Sequence, residues 1–373
     1  MRRQKRLGKS VLAAAGLGLG LAGRELWLRR QEVDLRGQVA LVTGGSRGLG
    51  YLLAREFGRQ GCRLAICARD PAELEHARAD LSGQGFDVFA QPCDVGNRDQ
   101  VERLVAAVTA HFGRIDLLVN NAGVIEAGPI DSQTEADFRE AMDVMFWGVL
   151  YPTLSVLPQM RARRAGRLVN VTSIGGKVAV PHLIPYDCAK FAAVALSEGL
   201  RAELAREGIV VTTIAPGLMR TGSMLNAIFK GPHRAEFTAF SVLGSLPVIS
   251  MDAERAARQI VAATRRGEAE RILSLPANLL ARFHGLFPGT TADILGVINR
   301  VLPQADGAGQ DRERGMALHA VTRSPLLDRL IGWNLAAAQR FHEYPGPITA
   351  GPQAAPDVAG GQANGAMPRP RPS

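Results

Sequence analysis

Val39-Ala40-Leu41-Val42 is an unbroken apolar run that ends in Thr43-Gly44-Gly45-Ser46-Arg47-Gly48-Leu49-Gly50 and then continues with helical spacing. A short run without polar alternation suits a strand buried on both faces of a parallel sheet. The glycines let the chain reverse sharply and bring the next helix close to the strand it has just left. Parallel neighbours cannot be joined by tight hairpins, so each following strand has to be reached by a crossover. A junction of this kind points to an alternating α/β architecture if the rest of the chain keeps the pattern.

The rest of the sequence keeps the alternation. A helix over about 48–60 leads to strand Arg63–Ala68, and a second helix opens at Asp70-Pro71. Strand Asp87–Gln91, a helix over 98–112 and strand Ile115–Val119 follow. A long helix around 134–163 precedes strand Arg167–Thr172; helix 187–206, strand Ile209–Ala215, helix 252–266 and strand Arg271–Leu275 complete the pattern. This predicts a doubly wound parallel sheet of about seven strands with right-handed crossovers, spanning 36–276. Residues 277–344 read as a helical extension whose apolar stripe (Leu279, Leu280, Phe283, Leu286, Phe287) is expected to pack against the body. Seven Pro and five Gly in the last 29 residues predict a disordered tail over 345–373.

The net charge of +9 would suit a nucleic-acid partner, but its distribution does not. Residues 1–30 hold eight Lys/Arg and one acid, which leaves only +2 for the other 343 residues. A groove-binding face needs basic residues across the folded body, so no nucleic-acid partner is expected. Within that basic segment, residues 11–23 form a short uncharged stretch broken by four glycines, too brief for a spanning helix of roughly 20 residues. Membrane attachment through 1–30, with the catalytic domain cytoplasmic, is the expectation. A basic tail on a soluble cytoplasmic protein and an export signal are the alternatives. Four scattered cysteines without a CxxC pair, and seven histidines without ligand spacing, predict neither a disulfide framework nor a metal site.

A helix that begins at a glycine turn presents free N–H groups and a positive dipole end, the arrangement that binds a pyrophosphate. Gly44, Ser46, Arg47, Gly48, Leu49 and Gly50 are therefore candidate cofactor contacts. The Thr-Gly-x-x-x-Gly-x-Gly spacing resembles the short-chain dehydrogenase/reductase family, and later segments agree in order. Cys93-Asp94-Val95, Asn120-Asn121-Ala122-Gly123, Ser173 thirteen residues before Tyr186, Tyr186-Asp187-Cys188-Ala189-Lys190, and Pro216-Gly217 with Thr221 all match family segments. The resemblance covers about 240 residues. It implies a Rossmann-like sheet, a nicotinamide cofactor held also by Asp94, Val95, Asn121, Ala122, Gly123, Tyr186, Lys190, Pro216, Gly217 and Thr221, and a homo-oligomer.

The end of the second strand bears on which nicotinamide cofactor is used. A carboxylate there would receive a ribose 2′-hydroxyl and repel a 2′-phosphate. Ala68 stands in that place, followed by Arg69, with Arg47 projecting from the glycine turn. Two guanidiniums favour NADP. Asp70 competes with that reading, but Pro71 behind it marks a helix start, which Asp caps well.

Tyr186 and Lys190 lie four apart on one helix face. A nearby ammonium favours the phenolate, so the tyrosine can exchange a proton with a carbonyl or alcohol oxygen that Ser173 holds. Only five of the 44 basic residues are lysines, and one of them is Lys190. The family places an Asn in the long helix before the fifth strand, where it supports a proton-relay water; here that place falls on Met145, a weak acceptor and no donor. The segment 218–250 closes over substrate in this family. Its Leu218, Met219, Met224, Leu225, Ile228, Phe229, Phe237, Phe240 and Leu243, with Val178, Val180 and Leu183, favour an apolar carbonyl or alcohol substrate. His182 and His233 read as ordinary loop histidines. The expected activity is NADP-dependent oxidoreduction with tyrosine as acid/base; the alternative is a catalytically weakened NADP-binding interaction or regulatory protein.

Overall fold

The computed structural model describes residues 32–344 apart from 306 and 308, so the anchor-like segment 1–30 and the tail 345–373 lie outside the described residues. Seven parallel strands form the central sheet: β1 (Val39–Thr43), β2 (Arg63–Cys67), β3 (Val88–Ala90), β4 (Leu117–Asn120), β5 (Gly166–Val171), β6 (Ile209–Pro216) and β7 (Glu270–Leu273). Their order is β7-β6-β5-β4-β1-β2-β3. It reverses direction after β1, and the crevice at such a switch point is where open α/β sheets bind ligands.

Helices α1 (Gly48–Arg59), α2 (Pro71–Gly83), α3 (Arg98–Phe112), α4 (Glu135–Met142), α5 (Gly148–Arg163), α6 (Ile184–Leu204) and α8 (Ala253–Arg266) flank the sheet, while α7 (His233–Ser245) lies in a separate cluster. Val39 to Val42 are fully buried, as a strand covered on both faces requires. One core cluster joins β1, β2 and β4 to α1 and α8; the other joins them to α3 and α5. Residues 143–147 form a π-turn that joins α4 to α5, making one helical run over 135–163. Among the described residues this is the one helix long and apolar enough to cross a membrane. Half of its apolar window is buried inside the fold, as a core helix requires.

The extension comprises α9 (Leu275–Leu286), α10 (Pro288–Asn299), α11 (Gly315–Thr322) and α12 (Pro325–Arg340). Its two halves behave differently. Leu318, Leu327, Ile331 and Leu335 of α11 and α12 bury against Leu225, Phe229 and Phe237 in a third cluster. The apolar stripe of α9, in contrast, does not pack against the body as expected. Leu279, Phe283, Leu286 and Phe287 are exposed, and Leu280 is only half-buried. The cause is that Ala277 is the one residue α9 buries, while Phe283 meets Phe287, the residue that joins α9 to α10, at 5.3 Å.

Candidate active site

The candidate cofactor and catalytic segments lie at or just past the C-terminal ends of strands, or in the first turns of α6 at that same sheet edge. At β1, Gly44 and Gly48 adopt φ of +64° and +55°, which side chains with a Cβ rarely accept. Gly50 lies so close to the carbonyl of Gly44 that a Cβ would collide with it. The Asn-Asn-Ala-Gly segment after β4 braces the turn. Asn121 Nδ2 donates to the carbonyls of Thr43 and Gly44 at 3.1 and 3.3 Å, while Thr43 Oγ1 accepts from the N–H groups of Asn121 and Ala122. Asn120 instead enters a buried chain through Asn170, Ser197 and Thr213 that ties β4 to β5, α6 and β6.

The two arginines expected at the cofactor, Arg47 and Arg69, are placed differently. Arg69 is exposed and makes no ion pair among the described residues. Arg47 is engaged by Glu73 at 2.7 Å and by Glu343 at 3.4 Å. Asp70 is the N-cap of α2, accepting from the N–H groups of Ala72 and Glu73. Asp94 accepts from the Gly96 N–H at 3.0 Å and Val95 is buried. Pro216 closes β6, and Gly217 is pressed against Ala277 and Ser274, so a Cβ would crowd both. Thr221 is buried and accepts from the Ser223 N–H.

Ser173, Tyr186 and Lys190 converge between β5 and α6. A Cβ on Gly175 would lie 3.2 Å from Tyr186 Cε1 and 3.4 Å from Ser173 Oγ, so the two side chains are neighbours, and Ser173 Oγ accepts from the Gly175 N–H at 3.0 Å. Burial pushes Tyr186 up to about 12, against which the neighbouring Ser173 hydroxyl acts. The buried Lys190 is drawn down to about 8 by desolvation alone, and its Nζ donates to the Val171 carbonyl at 3.1 Å. Tyr186 thus does not show the lowering expected from the nearby Lys190; burial raises it instead. A Cβ on Gly123 would lie 3.8 Å from Lys190 Nζ and 3.7 Å from Met145 Sδ, so Met145 sits in the lysine's neighbourhood.

Asp187, which sequence reasoning passed over, is buried and raised to about 8 by desolvation. It accepts from the Val180 N–H at 2.6 Å and so ties the loop after Ser173 to α6. His182 is buried in a 2.6 Å pair with Glu236 of α7, and His233 contacts the Asp311 carbonyl at 2.8 Å. Both histidines therefore have structural partners. Much of the apolar set in 218–250 is likewise engaged: Met224, Leu225, Phe229 and Phe237 are buried against the extension rather than left open to the cleft.

The family model for short chain dehydrogenase matches residues 38–231. A putative ketoacyl reductase of granaticin polyketide synthesis from Streptomyces violaceoruber is 38% identical, over 49% of this chain and 68% of its own. The putative oxidoreductase SadH of Mycobacterium tuberculosis is 33% identical over 68% of this chain and 92% of its own. Among solved structures, a single-site variant of actinorhodin polyketide ketoreductase with NADPH superposes with a TM-score of 0.57 at 30% identity, covering 64% of this chain and 95% of that one. The braced glycine turn, the switch point after β1 and these matches agree: the chain belongs to the short-chain dehydrogenase family and is an oxidoreductase.

Proposed function

We propose that this protein is an NADP-dependent reductase of apolar carbonyl compounds, with Tyr186 as the acid. The observation that carries the reading is the convergence of Ser173 and Tyr186 around Gly175 beside a buried Lys190. The glycine cradle that side chains would fill and Arg69 at its edge, unpaired among the described residues, fit a phosphorylated dinucleotide. NADPH, when bound, supplies the hydride. Ser173 orients the carbonyl oxygen, Tyr186 gives it a proton, and Lys190 stabilises the phenolate left behind. The ketoacyl reductase relative and the NADPH-bound ketoreductase support a keto group and this cofactor.

Attachment to a membrane through 1–30 is part of this reading. The exposed Leu279, Leu286, Val297 and Val301 of the extension add a second apolar surface compatible with it. Exposed Trp147, Leu154 and Phe191 beside the long helices support a homo-oligomer.

The test is NADPH oxidation by the full chain against a panel of ketones and ketoacyl esters, beside Tyr186→Phe. The variant should lose roughly a hundredfold or more in kcat while keeping its NADPH affinity. Equal turnover in both would refute the role of Tyr186. Cofactor binding without turnover on any ketone would favour the second reading, a weakened NADP-binding protein, for which Met145 is the supporting observation.

A further inference from the structure

Two groups that the cofactor reading assigns to phosphate are engaged by the chain's own C-terminal extension. Beyond α12, Phe341 is buried in the core cluster of β1, β2 and α1 and anchors a short strap, 341–344, across the glycine turn. The N–H of Gly48, the first of α1, donates to the Phe341 carbonyl at 2.7 Å. The Glu343 carboxylate lies over Gly48, where a Cβ would collide with Oε1, and 3.4 Å from Arg47 Nε. Asn226, in the segment that closes over substrate in this family, donates from Nδ2 to the Glu343 carbonyl at 2.8 Å and to its Oε2 at 2.7 Å. The His342 ring rests on Tyr51 of α1 and His76 of α2, with centroids 4.3 and 4.6 Å apart. The strap therefore bridges α1, α2 and the Asn226 segment.

A carboxylate with only 6% of its side chain exposed is costly unless strongly paired. Here it is met by the positive end of α1, a guanidinium and an amide, the features that recommend the place for a phosphate. Even so, burial pushes Glu343 up to about 7. One N–H cannot serve the Phe341 carbonyl and a phosphate oxygen at full strength, and Arg47 cannot face two acids and a phosphate without rearranging.

We propose that the Glu343 strap is an internal competitor for the dinucleotide's phosphates, which has to swing off the glycine turn before NADP(H) can bind. The closed strap then weakens the apparent affinity in proportion to the small fraction of open molecules. This rests on the reading of the glycine turn as the dinucleotide site.

The experiment is NADPH titration of the full chain by calorimetry, for the native sequence, Glu343→Ala and Asn226→Ala. Both variants should show a lower Kd, roughly tenfold for Glu343→Ala, the size expected when one competing charged contact is lost. Hydrogen exchange across 336–344 should rise when NADPH is added to the native protein. Weaker binding in the variants, an unchanged Kd, or protection of 336–344 by NADPH would overturn the proposal; the first and last would make Glu343 a clasp on bound cofactor. If Glu343→Ala misfolds, Asn226→Ala, which unties the strap without touching the glycine turn, decides. Failure of the underlying reading looks different, because then neither the native protein nor any variant binds NADPH, and the competitor proposal falls with it.

Discussion

Lys190 holds its ammonium 5.6 Å from the centroid of the Tyr186 ring while Nζ donates to the Val171 carbonyl. Desolvation moves the two groups in opposite directions, Lys190 down to about 8 and Tyr186 up to about 12. Below pH 8 the phenol carries its proton and the amine its charge, which is the state needed to protonate a carbonyl oxygen and stabilise the phenolate that forms.

The first prediction concerns the pH profile. As pH rises through about 8, Lys190 loses its charge while Tyr186 still holds its proton. The value of kcat/KM for carbonyl reduction should therefore be flat below that point and fall above it, up to about tenfold per pH unit. Initial rates at saturating NADPH across pH 6–10 check this. A profile flat to pH 10 would show that the lysine's charge is not needed.

Asp187 offers a stability prediction. Burial raises its carboxyl from 3.8 to about 8, and its Oδ1 finds no partner among the described residues. The folded protein thus binds more protons at this site than the unfolded chain between those values, so the native protein loses stability as pH rises through that window. Asp187→Asn removes the ionisable group and can still accept from the Val180 N–H. Its Tm should exceed that of the native protein by a margin that opens between about pH 4 and pH 8. Calorimetric scans at pH 5 and pH 8 measure it, and an equal difference at both would disprove it.

Cofactor choice should depend more on Arg69 than on Arg47. Arg69 is exposed and unpaired among the described residues, whereas Arg47 is shared between Glu73 and Glu343. Arg69→Asp should cut the preference for NADPH over NADH by roughly tenfold or more, since a carboxylate repels the 2′-phosphate and can accept a ribose hydroxyl. Glu73→Gln should act the other way, tightening NADPH by releasing Arg47. Paired Kd measurements for both nucleotides read the outcome. Unchanged discrimination in Arg69→Asp would place the 2′-phosphate elsewhere.

Much of this site was legible because its elements are local in sequence. The helix at 98–112 is found where its spacing predicts it, and Asp70 caps α2 as the Asp-Pro pair implied. Seven strands, alternating with helices, needed only apolar runs and glycine junctions to be recognised. What escaped is what depends on distant pairing. Glu343 stands 295 positions after Gly48, and no periodicity in a tail that begins to accumulate proline announces where it folds back. Asp187 is nearer its partner, seven residues from Val180, but its burial depends on how the intervening loop folds back onto α6. The α9 stripe misled because apolar spacing marks a face without naming its partner.

The final prediction concerns Met145, which is buried in the π-turn between α4 and α5 and lies near Lys190 across Gly123. π-turns inside helices recur at functional sites because they redirect side chains that a regular helix would aim elsewhere. A thioether there cannot donate to a water and accepts only weakly, so on the proposed mechanism the relay to Lys190 would have to be supplied by another group or water chain, or turnover would be slow. Met145→Asn should raise kcat several-fold at unchanged NADPH affinity. It should also lower Tm, because a buried amide with incomplete pairing costs roughly 1–3 kcal/mol. Met145→Leu, which keeps the volume and removes the sulfur, should leave kcat where it is. A folded Asn variant with native kcat would show that proton transfer through this position does not limit turnover.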